Sequence, residues 1–260
     1  MSSIASHCAI EIPAAFLELG QRPVVLALGP HADDIELGCG ATLLRLKECY
    51  HAQIHYVAFC DHYAKPVKVS LRDEIAASAA MLGCELYQGK KAHYFPDTLF
   101  PDHWQKIQAY VAKLRDLFRP SLVFAPRLDD NHQDHVVVAQ AASREFRQGQ
   151  TLWHYEIKQH GQDQFKPNIY VDVSGEIQTE DIDEYPDILY DAEPAEYRPS
   201  KVHNTYAHRK VFILRKCMQS QKGQPFLNTE LILGTMRVRG MQMSPKVDYA
   251  EAFEGKALLY

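Results

Sequence analysis

Three short apolar and β-branched runs, VVLALG at 24–29, IHYVAFC at 54–60 and SLVFAP at 121–126, constrain this chain more than any other feature. They alternate with longer stretches of helical periodicity, LRDEIAASAAMLG at 71–83 and WQKIQAYVAKLRDLFRP at 104–120. The second of these is stopped by Pro120, which delivers the chain directly into the third run. Strand and helix in alternation predict an α/β fold, a Rossmann-like and mostly parallel sheet flanked by helices. At 260 residues one sizeable core is affordable, so a single domain spanning 1–260 is expected.

The rhythm breaks once. After NIYVDVS at 168–174, a stretch beginning at Glu176 is rich in Asp, Glu, Tyr and Pro and holds no Lys or Arg until Arg198. It reads as an acidic insertion near 176–207, either a solvated excursion or a lid over the substrate. Tyr185, Tyr190, Tyr197 and Tyr206 are its aromatic candidates for contact with a ligand, or else pack the excursion against the domain. Arg198, Lys201, His203, Arg209 and Lys210 are candidates for meeting a phosphate. Helical periodicity returns from about Lys210.

Charge and cysteine usage narrow the function classes. A net charge of -5 gives no global basic footprint for nucleic acid. The first twenty residues lack a basic leader, Glu11 and Pro13 interrupt their apolar stretch, and no run approaches the ~18 apolar residues a membrane span needs. A soluble, cytoplasmic protein is expected. Six cysteines without a C-x-x-C pair read as reduced, small buried hydrophobes.

Chemistry concentrates at two places. Directly after VVLALG comes PHADDIELGCG, with His31, Asp33, Asp34 and Glu36 at the C-terminal end of a strand, where open parallel sheets bind ligands. If a helix starts here, His31 and Asp34 face the same way and Asp33 projects elsewhere. Packed carboxylates repel one another unless something positive sits among them, and imidazole plus carboxylate without thiolate suits a catalytic divalent ion of the zinc type. Asp33 beside such an ion is placed to take a proton from water. Gly38, Cys39 and Gly40 resemble a dinucleotide-binding turn only weakly, because Leu43 occupies the third glycine position and the preceding acids would repel a pyrophosphate. The glycines fit better as sites of close helix-to-sheet packing.

The second place is DDNHQDH at 129–135, again following an apparent strand. Parallel strands align such ends along one edge, so loops a hundred residues apart can meet. Spacing leaves open whether His132 or His135 completes a set of two histidines and one carboxylate. Whichever does not bind metal is free to act as acid or oxyanion donor, held by a carboxylate such as Asp134.

These segments resemble the signature motifs of the PIG-L/LmbE family of N-acetylglucosaminyl de-N-acetylases, H-x-D-D-x-E and H-x-D-H. Arg72 with Glu74, FPD at 95–97, SQ at 220–221, RVRG at 237–240 and YAEAF at 249–253 follow in the family order. Resemblance covers roughly 22–175 and 208–254. The usual proline of the first motif is missing after the histidine, where this chain has Pro30 before it and Ala32 after it; no ligand is lost. The resemblance implies metal ligands at His31, Asp34 and His135 and a general base at Asp33. It implies a protonated, oxyanion-stabilising His132 oriented by Asp134, and substrate contacts at Arg72 and Asp97. The implied ion is Zn2+, with Fe2+ or another divalent metal as alternatives, and the implied reaction is acetate release from an N-acetylated amino sugar, sugar nucleotide or glycoconjugate precursor. A different acyl substrate and an inactive sugar-binding module are the competing readings. The expected partner is a small molecule, with no nucleic acid and no membrane span; a homo-oligomer stays open.

Overall fold

The computed structural model describes residues 22–61, 70–88, 94–147, 150–157, 165–190 and 203–255. The three apolar runs form β1 (Val24–Gly29), β2 (Gln53–Ala58) and β4 (Leu122–Pro126), joined by short β3 (Glu85–Leu86) and by β5 (Thr151–Tyr155) in one parallel array. Successive residues of β1 serve opposite faces: Val25 and Ala27 enter one core cluster, Leu26 and Leu28 the other. That two-sided burial explains why these runs carry no polar alternation.

Two further strands, β6 (Ile169–Asp172) and β7 (Ala250–Gly255), complete a seven-stranded sheet in the order β3-β2-β1-β4-β5-β7-β6. The last strand in sequence inserts antiparallel between β5 and β6. Helices α1 (Asp34–Tyr50), α2 (Leu71–Met81), α6 (Tyr206–Cys217) and α7 (Thr229–Met243) cover one face, and α3 (Trp104–Phe118) and α4 (Gln133–Glu145) cover the other. Helix α3 ends as expected: Arg119 adopts a left-handed φ of 46°, its N–H returns to the Arg115 carbonyl, and Pro120 follows.

Gly38 and Gly40 lie inside α1, not in a phosphate-binding turn. A Cβ on Gly38 would stand 2.2 Å from the Tyr155 ring, so glycine is what allows this helix to lie against β5.

The acidic stretch is less of an excursion than its composition implied. It holds a short helix α5 (Tyr185–Leu189), its start is pinned by the Ile177 N–H to the Asn204 carbonyl, and Tyr185 is fully buried and stacked on Phe212. Tyr206 is buried and its hydroxyl donates to Glu48. Arg209 pairs with Asp181 and Lys210 with Glu251. These aromatic and basic side chains are therefore committed to packing, while Tyr197, Arg198 and Lys201 fall outside the described residues. Among the described residues no helix is long and apolar enough to cross a membrane.

Candidate metal centre

The strand order creates the site. From β1 the chain runs outward to β2 and β3, then returns to β4 on the other side of β1. The loops leaving β1 and β4 at their C-terminal ends feed helices on opposite faces, α1 and α4, and a crevice opens between them.

In the first loop Asp33 is the residue before α1 and sits at φ 97°, ψ -27°, a left-handed conformation uncommon outside glycine. The Asp34 carboxylate reaches back to accept the His31 backbone N–H at 2.7 Å. Glu36 turns away from this group. Fully buried, it accepts hydroxyl protons from Tyr56, at 3.2 Å, and from Ser78, and ties α1 to β2 and α2.

In the second loop His132 caps α4. Its backbone N–H donates to Asp130 at 2.8 Å, and its ring Nδ1 accepts the Asp134 backbone N–H at 3.2 Å. One helical turn on, His135 places Nδ1 3.2 Å from Asp130 and Nε2 3.3 Å from Asp34. The Asp134 carboxylate points to His31 at 3.1 Å and accepts the N–H groups of Thr98, at 2.7 Å, and Phe100, at 3.1 Å. Orientation of His132 thus comes from the backbone of Asp134, not from its carboxylate as expected. The two N–H bonds carry the FPD turn across the site and set Asp97 3.3 Å from His31 Nε2.

The result is a buried knot of imidazoles and carboxylates. The His31 and His132 ring centres lie 4.7 Å apart, as do those of His132 and His135. Ligand-capable atoms of His31, His132 and His135 fall within 4.8 Å of one another, and so do those of His31, Asp97, His132 and Asp134. Asp34 belongs to neither group but bridges His31 and His135, with 3.3 Å to each.

Burial opposes the charge on His31, yet hydrogen bonds to Asp134, Asp34 and Asp97 outweigh it and raise its pKa well above the usual value. His135 is likewise disfavoured by burial but raised to about 9, chiefly by Asp34 and Asp130. Asp34 resists burial's upward push because His135 and His31 hold it well below the carboxylate range. Asp33 goes the other way: burial, then the Asp34 charge, push its pKa well up. His132 is lowered by burial and by the charges of His31 and His135. The cluster is balanced only when protons sit on its imidazoles, and a divalent cation supplies the same positive charge. Two imidazoles bridged by one carboxylate are a donor set that fits zinc or a similar ion.

Six of the eight residues singled out from sequence surround this point: His31, Asp34, Asp97, His132, Asp134 and His135. Asp33 is buried beside them. Arg72 stands apart at the start of α2, more than half exposed, its guanidinium on Asp61 and 5.5 Å from the Tyr94 ring centre. Sequence reasoning assigned nothing to Asp130, although it stood within DDNHQDH. A groove of about 560 Å³ between the C-terminal half of α4 and β5, lined by Phe146, Leu152 and His154, contains none of the clustered residues.

A profile of the GlcNAc-PI de-N-acetylase family matches residues 26–145. The uncharacterized deacetylase YaiS of Escherichia coli (strain K12) is 32% identical over 133 residues, covering 47% of this chain and 67% of that protein. Among solved structures, the N,N'-diacetylchitobiose deacetylase of Pyrococcus horikoshii superposes with a TM-score of 0.61 at 18% identity, over 95% of this chain and 87% of its own. The A40926 pseudoaglycone deacetylase Dbv21 gives 0.59 at 17% identity, over 92% of this chain and 100% of its own. At such identities the structural likeness speaks for the fold.

Proposed function

Because the chain belongs to the PIG-L/LmbE-like deacetylase family, we propose that it is a metal-dependent N-deacetylase that hydrolyses the acetamide of an N-acetylated amino sugar, or of a conjugate carrying one, to acetate and a free amine. The observation that carries this reading is the convergence of buried His31, Asp34 and His135 with half-buried His132 at the β1/β4 crevice.

The contacts of the two ring systems favour one division of labour. His135 Nδ1 lies 3.2 Å from the Asp130 carboxylate, a charge contact that favours a proton on that nitrogen and would leave Nε2 to serve as a ligand. His132 accepts a backbone proton at Nδ1, so its own proton belongs on Nε2 and it has no second lone pair to give a metal. His31, Asp34 and His135 would hold the ion, and His132 would offer its Nε2–H to the developing oxyanion. Burial and the neighbouring histidines lower the His132 pKa, which disfavours the imidazolium expected from the motif. When bound, the ion supplies Lewis acidity, polarising the amide carbonyl and easing the ionisation of water.

Asp33, whose burial strengthens its hold on a proton, is suited to general base. It takes one proton from water as the oxygen adds to the acetyl carbon, and returns it to the nitrogen as the C–N bond breaks. Asp134 positions His31 and the FPD turn, leaving Asp97 and Arg72 as the candidate substrate contacts.

A second reading, a larger acylated substrate such as a glycopeptide, is supported by the likeness to the A40926 pseudoaglycone deacetylase. Acetate release is therefore to be assayed on N-acetylated sugars, their nucleotide derivatives and an acylated glycopeptide, before and after chelation, with bound metal measured by elemental analysis. Stoichiometric metal and chelator-sensitive release from one class are expected. His135→Ala should lose metal and activity together. Asp33→Asn should retain metal and lose about 10² to 10⁴ in rate; a fully active Asp33→Asn protein sinks the assignment.

A further inference from the structure

Helix α1 is entered by side chains from the other end of the chain. Glu251 on β7 accepts the backbone N–H groups of Ala41, at 3.2 Å, and Thr42, at 2.7 Å. Lys210 on α6 donates to the Leu37 carbonyl at 2.6 Å and to Glu251 at 2.7 Å. Both side chains are almost fully buried. In an undisturbed α-helix the Leu37 carbonyl and the Ala41 N–H serve one another; here an ammonium addresses the first and a carboxylate the second. A side chain inserted into the ladder bends a helix where it enters.

The point of entry matters. It divides α1 into a first turn, Asp34–Leu37, which carries the site, and a remainder, 42–50, tied to α6 where the Tyr206 hydroxyl donates to Glu48. Gly38 and Gly40 lie between, one against the Tyr155 ring and the other against the Lys210 stem at 3.5 Å. Tyr155 in turn donates to the Leu28 carbonyl of β1 at 2.8 Å. A buried ion pair gives up much of its attraction to desolvation, so stability alone is a weak reason to keep one here.

We propose that the Lys210–Glu251 pair is a positioning device for the metal centre, fixing the direction in which the first turn of α1 presents Asp33 and Asp34 to His31 and His135. The proposal rests on the metal-centre reading above. Neither residue touches the cluster; they act through the backbone of α1, as outer groups that aim inner ligands do elsewhere.

The test uses the full chain loaded with Zn2+ or Co2+. Glu251→Asp keeps the charge but is one methylene too short to span both N–H groups; Lys210→Arg keeps the charge with a different fork. Zinc affinity, read by competition with a chromophoric chelator, should fall 10- to 100-fold in each. The visible spectrum of the Co2+ protein should shift. Leu114→Ala, in the opposite core cluster, serves as a control that lowers Tm while leaving both readouts at wild-type values. Variants that lose Tm like the control yet keep wild-type zinc affinity and cobalt spectrum would overturn the positioning role and leave a plain structural brace. Should wild-type protein and His135→Ala bind zinc equally well, the metal-centre reading itself fails, and the proposal with it.

Discussion

The two halves of the sheet differ in what they give the site. From β1 to α4 the chain supplies every clustered side chain: His31, Asp33, Asp34, Asp97, His132, Asp134 and His135. From β5 onward the described residues supply no such group but reach across to the first half with Tyr155, Lys210 and Glu251. Reacting groups are thus gathered by local motifs at two neighbouring strand ends, while the helix α1 that presents Asp33 and Asp34 is held by residues more than a hundred positions away.

The comparison can be pressed at several points. The largest expected effect after those on Asp33 and His135 is at Asp130, in the first half. Asp130→Ala removes the partner of His135 Nδ1 and should weaken zinc binding about 10- to 100-fold, as read by chelator competition, with little change in fold.

Gly38→Ala probes the seam. The added methyl must displace the Tyr155 ring or push α1 from the sheet, an overpacking cost of about 1–3 kcal/mol measurable by urea denaturation. Unchanged stability would show that α1 rests on β5 less firmly than the contact implies.

The smallest effect belongs to the second half alone. Burial, with a lesser contribution from His203, lowers the His208 pKa to about 4. Between about 6.5 and 4 the unfolded chain binds a proton that the folded one refuses, so the stability contributed by the neutral ring is complete above about 6.5 and drains away as pH falls toward 4. A loss on the order of 1–2 kcal/mol is expected across that window. His208→Gln should flatten the profile of Tm against pH without altering metal affinity at neutral pH.

Much of the first half was legible because its signals are local. Apolar runs marked β1, β2 and β4 to within a residue or two, and Pro120 marked the end of α3. The meeting of PHADD with DDNHQDH followed from parallel strands sharing an edge. What local pattern could not give was direction. Asp134 reads as the natural partner of His132, but α4 turns its carboxylate toward His31 and the Thr98 and Phe100 amides. The second half was harder for the same reason. YAEAF carries no hint that it will enter antiparallel between β5 and β6, nor that Glu251 will reach into α1. The acidic stretch misled in the opposite sense: its composition is that of a solvated loop, yet Tyr185 is core.

The left-handed backbone at Asp33 places that residue at odds with selection for stability. Glycine would occupy this conformation without strain, relieving on the order of 1–2 kcal/mol, and would also remove a carboxyl group from a crowded, buried neighbourhood. Asp33→Gly should therefore melt at a higher temperature than the natural chain while catalysing nothing. A screen that ranks variants by thermal resistance alone would favour it, and would drift away from function at the first turn it improved.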